Sequence, residues 1–134
     1  MKIFCLGGWV FYVGDSNNLN LEKSGKWMYF FSDKEFASKI CKTAVEQGIV
    51  TQSKHSDAEK GVACFYLNCD DVSGHQRVIK YFIDNNLIRK TKKGRLYNIS
   101  FKLDSETRAG VYGEEFHTDI KLENFVDLDT GEWK

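Results

Sequence analysis

Aromatic and cationic side chains are the residues of this sequence best suited to ligand chemistry. Trp9, Trp27, Tyr29 and Tyr112 carry π faces on which a nucleobase could stack through dispersion and π contacts. Core packing is the default account of Trp27 and Tyr29, because both stand in an apolar run. Trp9 follows Gly7 and Gly8, which let a ligand approach the backbone closely, and is the better candidate for an exposed stacking surface. The basic stretch Arg89-Lys90-Thr91-Lys92-Lys93-Gly94-Arg95, with Tyr97 and Phe101 beyond it, could contact nucleic-acid phosphates. A solvated hairpin tip is the favoured reading of that charge run, so nucleic acid is a possible but not a favoured partner.

The remaining reactive side chains form no known constellation. His55, His75 and His117, and Cys5, Cys41, Cys64 and Cys69, show no HxxxH, CxxC or mixed Cys/His spacing, so no metal site is expected. Asp127-Leu128-Asp129-Thr130-Gly131 lacks the third acidic position and the distal glutamate of a calcium loop and reads as a turn. No GxSxG, phosphate-loop or dinucleotide-binding pattern occurs. Without such a motif no cofactor is expected, and binding is favoured over catalysis.

Composition bounds the setting. A chain of 134 residues suits one domain spanning residues 1–134, long enough to bury a core without disulfides or a structural metal. Hydrophobic residues make up 42% and aromatics 14% of it, which argues against disorder. Nineteen basic against nineteen acidic residues give no net charge, so any anion site is local rather than the product of a global field. The cysteine pattern, with Cys41 and Cys64 inside apolar runs, indicates buried free thiols and a reducing, cytoplasmic compartment. Lys2 followed by residues 3–13 faintly resembles a signal peptide, but Gly7 and Gly8 interrupt the run and no cleavage site follows, so a first strand is expected. No run approaches the length of a membrane span, and no membrane partner is expected.

The elements that must position these groups can be read from periodicity and punctuation. Residues 9–13 read as a strand that ends in the turn formers Gly14-Asp15-Ser16-Asn17-Asn18. Residues 26–31 read as a strand buried on both faces. Ser32-Asp33-Lys34-Glu35 has the form of a capping box; it opens a helix with an apolar stripe of Phe36, Ile40, Cys41, Ala44 and Val45 that ends at Gly48. Residues 49–53 should return as a strand, 54–61 as a polar loop, and 62–67 as another strand. Ser73-Gly74-His75-Gln76 repeats the capping-box logic before a second stripe of Val78, Ile79, Phe82 and Ile83, closed by Asn85-Asn86. Beyond it, residues 96–103 suggest a strand, 104–110 a capped turn, and 116–126 one or two further strands. The order β, β, α, β, β, α, then strands predicts an α+β fold: a mainly antiparallel sheet with two main helices on one face.

Three segments carry a family resemblance: Gly25-Lys26-Trp27-Met28, Ser53-Lys54-His55-Ser56, and residues 104–112 ending in Arg108-Ala109-Gly110-Val111-Tyr112. In this order, with the intervening helices, they resemble the basophilic-leukaemia-expressed protein family, whose late threonine-x-alanine-glycine-x-tyrosine motif is matched by Thr107, Ala109, Gly110 and Tyr112. The match spans about residues 25–113. It implies a fold like that of the cap-binding translation initiation factor 4E, a curved antiparallel sheet with helices on its convex side. Fold analogy of this kind raises the expectation of a nucleotide-like ligand without fixing one.

Lys26, Lys54 and Arg108 fall in the three matched segments, and their convergence would build a phosphate or carboxylate site. The leading expectation is therefore a non-enzymatic module for a nucleotide or related phosphorylated small molecule on the concave sheet face. Trp9, Trp27 and Tyr112 are its candidate aromatic contacts, and Lys26, Lys54, His55 and Arg108 its polar ones. A second reading is a phosphate-eliminating lyase, with Lys54 as base, His55 or His117 as acid and Arg108 on the phosphate. Adjacent Lys54 and His55 would point to opposite faces if their segment were extended, which weakens that pairing. A third reading is a protein-interaction module offering a sheet edge or aromatic patch to a protein partner.

Overall fold

A computed structural model of the chain describes residues 1–104 and 120–134. Three strands, β1 (Lys2–Leu6), β2 (Trp9–Val13) and β3 (Ser24–Phe31), precede helix α1 (Lys34–Glu46); β4 (Gln52–Ser56) and β5 (Gly61–Asn68) precede α2 (Val72–Asp84), and a short β6 (Lys102–Leu103) follows. All pairings are antiparallel, in the order β1-β2-β4-β5-β3-β6. The fold is thus α+β, as the order of apolar periods implies.

Local chemistry accounts for most boundaries. Asp33 caps α1, its carboxylate accepting from the Phe36 N–H, and Asp71 caps α2 by accepting from Gly74 N–H. In both helices the cap is an aspartate, not the serine expected from the capping-box pattern; a carboxylate also interacts favourably with the positive helix end. Gly48 at φ +72° and Asn86 at φ +56° provide the left-handed stops.

Residues 3–13 form a hairpin rather than one strand. Gly7 and Gly8 both have positive φ, +60° and +83°, the backbone of a two-residue type I′ turn whose twist matches that of the strands it joins. The strand expected at 49–53 lies three residues later, so Lys54 and His55 stand in β4 and not in a loop. β3 is not buried on both faces, since Phe30 is 56% exposed. Of the strand expected over 96–103 only Lys102 and Leu103 pair with the sheet, while Leu96 and Ser100 make isolated bridges. Over 120–126, a 3-10 turn at Leu122–Asn124 replaces a strand; residues 105–119, including most of the turn expected at 104–110, lie outside the described residues.

Both helices pack on one face of the sheet. Register places Tyr12, Ser53, Phe65 and Trp27 in one cross-strand row and Val10, His55, Ala63 and Tyr29 in the next. Phe65 meets Tyr81 and Phe82 of α2, and the Ser53 hydroxyl donates to the Cys41 carbonyl of α1. Phe101, Leu122 and Val126 complete the core from the C-terminal segment.

Two buried histidines are built into this core. The Trp27 indole donates to His75 Nδ1 at 3.0 Å, and His75 Nε2 lies 2.9 Å from the Cys69 carbonyl, so the neutral Nε2–H tautomer satisfies both ring nitrogens. Burial holds the His75 pKa below its ordinary 6.5. The native state therefore resists a proton that the unfolded chain accepts: the full contribution is present above pH 6.5 and is lost as the pH falls toward the folded value. Thermal melts between neutral and mildly acidic pH should show this loss. It should disappear in His75→Gln, which can make both hydrogen bonds and does not titrate.

Candidate functional site

The face away from the helices, here called the far face, carries the complementary residues of each strand. Phe11 is opposite Lys54, Lys54 opposite Cys64, and Cys64 opposite Met28; one row along, Tyr66 is opposite Lys26. Trp9, two residues before Phe11, shares that face by strand alternation.

These residues gather around the Lys54 ammonium. It lies 3.9 Å from the Trp9 ring centroid, 5.5 Å from that of Phe11 and 5.8 Å from that of Tyr66, within cation–π range of all three. Lys26 approaches Tyr66 at 5.9 Å from the other side. Its charge is met by Asp104, 2.7 Å away, whose second oxygen accepts from the Ser24 hydroxyl. Lys54 differs: among the described residues no carboxylate lies within ion-pair distance of it. Burial lowers its pKa from the ordinary 10.5, and the neighbouring Lys26 charge pushes the same way. Burial raises the Tyr66 phenol and takes the Cys64 thiol to about 11, so both are neutral at physiological pH.

The far face thus unites Trp9, Lys26 and Lys54. Trp27 and His55 are on the other side of the sheet, fully buried. Trp27 cannot stack on a ligand that Lys54 touches, because its indole is committed to His75, Phe101 and Phe125. His55 Nδ1 donates to the Ser56 carbonyl, and its Nε2 lies 3.1 Å from the Tyr12 hydroxyl and 3.0 Å from that of Ser38. Lys54 and His55 therefore cannot serve one substrate as a base and acid pair. Tyr29 faces the helices, against Phe36. Arg108, Tyr112 and His117 lie outside the described residues.

Phe11, Tyr66 and Asp104 belong to the cluster and are not among the sequence candidates. Strand alternation carries the signal for the first, since Phe11 follows Trp9 by two. Tyr66 becomes visible only once Lys54 is placed in a strand paired to β5.

The other sequence candidates resolve into structure. Residues 89–95 form a tight turn, with Thr91 N–H donating to the Arg95 carbonyl and Gly94 at φ +83°. Tyr97 is half exposed, but Phe101 is 2% exposed and packs on His75 and Trp27, which removes it from any stacking surface. The Asp127 carboxylate accepts from the Asp129 and Thr130 N–H groups and closes a turn. Among the described residues there is no cluster of metal-ligating side chains, the cysteines are free, and no helix is long and apolar enough to cross a membrane. No protein-family model matches the chain, and no curated protein matches it.

Proposed function

We propose that this protein is a binding module for a nucleotide or a related phosphorylated ligand, held on the far face of the sheet. The observation that carries this reading is the Lys54 ammonium: partly desolvated, without a carboxylate partner among the described residues, and resting on the Trp9 indole at 3.9 Å. A phosphate arriving beside it gains a charge-assisted hydrogen bond that an aromatic face cannot supply. As the flexible lysine stem turns toward that phosphate, it uncovers an indole on which a base can stack. Membership of the basophilic-leukaemia-expressed protein family, with an initiation-factor-4E-like sheet, is part of the same proposal. It is supported by the antiparallel sheet with both helices on one face and by the meeting of Lys26 and Lys54 from two of the three matched segments. The free thiols support a reducing, cytoplasmic setting.

Isothermal titration with mononucleotides, cyclic nucleotides and cap analogues tests the reading. At least one should bind, and Lys54→Gln should weaken it by roughly tenfold to a hundredfold, the worth of one charge-assisted contact. Absence of binding across the panel, or unchanged affinity in Lys54→Gln, rejects it. The lyase reading keeps one supporting observation, the lowered Lys54 pKa expected of a lysine base. It requires an acid other than His55, and phosphate release from a phosphopeptide that is lost in Lys54→Ala.

A further inference from the structure

The two edges of the sheet are unlike. Among the described residues one ends in β6, only two residues long, which offers little backbone to a newcomer. The other ends in β1, five residues that are all exposed. Natural edge strands are normally guarded by internal charges, proline, bulges or brevity. β1 has none of these between Ile3 and Leu6, and Ile3, Phe4 and Leu6 are 50%, 42% and 66% exposed. Among the described residues no strand pairs with its outer side.

The hairpin fixes which backbone groups point outward. In a two-residue turn the flanking pair, Leu6 and Trp9, exchanges both hydrogen bonds. Alternation then makes Phe4 with Phe11 and Lys2 with Val13 the other bonded pairs, so residues 2, 4 and 6 direct their N–H and C=O groups toward β2. Ile3 and Cys5 direct theirs outward, where no backbone group among the described residues pairs with them. Two such groups spaced two residues apart are self-complementary under a twofold axis. With Phe4 opposite its symmetry mate, Ile3 of each copy meets Cys5 of the other, and four N–H···O=C bonds form.

We propose that β1 is a homodimerisation edge, on which a second copy of this chain adds its own β1 antiparallel, with Phe4 on the dyad. Side chains agree with the register. Phe4 already stacks on Phe11, with centroids 5.0 Å apart and planes 11° apart, so the two copies extend one aromatic row across the far face. Lys2 meets Leu6 of the other copy, and the two Lys2 charges stay about 14 Å apart, beyond the screening length at physiological salt. Five exposed residues bury on the order of 450 Å² per copy, at the weak end of specific interfaces, so the dimer is reversible and concentration-dependent.

Sedimentation velocity from micromolar to millimolar protein should show a monomer–dimer equilibrium. Ile3→Pro deletes an outward N–H without touching a bond to β2 and should raise the dissociation constant at least about tenfold. The register has its own readout. Phe4→Cys in a Cys5→Ser background opposes two thiols at a Cα separation of about 4.5 Å, suited to a disulfide, and should cross-link under mild oxidation, whereas native Cys5 should not. A chain monomeric at every concentration, or a dimer indifferent to Ile3→Pro in a variant whose thermal unfolding stays cooperative, overturns the proposal. So does cross-linking through native Cys5, which demands a different register.

Discussion

Trp27→Ala is expected to lower stability by about 4 kcal/mol, among the larger costs of a single core truncation. The indole is fully buried and touches Phe101, Phe125 and His75, so its removal opens a cavity among rings drawn from three segments far apart in sequence. It also withdraws the donor to His75 Nδ1, leaving a buried acceptor without its bond. For a domain of this size the loss should lower Tm by about 12–20 °C. Trp27→Phe separates the two contributions: most of the volume stays, and the missing hydrogen bond alone should cost about 1–3 kcal/mol. If both variants melt like the wild type, the central cluster does not hold the sheet to the C-terminal segment.

Gly25→Ala should destabilise by about 1–3 kcal/mol through overpacking, and it should reach the far face. A Cβ at Gly25 would lie 2.6 Å from the Lys102 carbonyl oxygen and 2.6 Å from the Phe101 ring. The oxygen is backbone, so relief requires β6 to move away from β3. That shift takes Asp104 from Lys26, which it now meets at 2.7 Å. Lys26 then carries an unneutralised charge beside Lys54, and the Lys54 pKa should fall further. Titration of isotope-labelled lysine side chains reads that fall directly, and chemical denaturation reads the stability change.

These two residues illustrate how far the sequence could be read. Helix positions followed from Ile40, Cys41, Ala44 and Val45 and from Val78, Ile79 and Phe82, because burial on one side imposes a period that survives local noise; Phe36, expected in the first stripe, is exposed, and Ala37 takes the buried place in its turn. The caps were shifted because aspartate and serine satisfy the same N–H groups, and spacing alone does not choose between them. β4 was displaced by three residues because Gln52-Ser53-Lys54-His55-Ser56 is polar throughout. Its membership of the sheet is decided by partners on both sides, and the buried Ser53 and His55 are made tolerable by Cys41, Tyr12 and Ser38, none of them adjacent in sequence. That shift in turn hid the site. Trp9 and Lys54 were legible as chemical types, yet their contact depends on the pairing of β2 with β4. Trp27 and Lys26 are neighbours in the chain, yet strand alternation sends them to opposite faces of the sheet.

The position of Lys54 over Trp9 also has an optical consequence. Exciting an indole moves electron density across its two fused rings, and a positive charge 3.9 Å from the ring centroid changes the energy of that movement. The emission colour of Trp9 therefore depends on where the ammonium sits, whereas Trp27 is shielded in the core. A molecule that draws Lys54 aside would announce itself as a spectral shift, with no label attached.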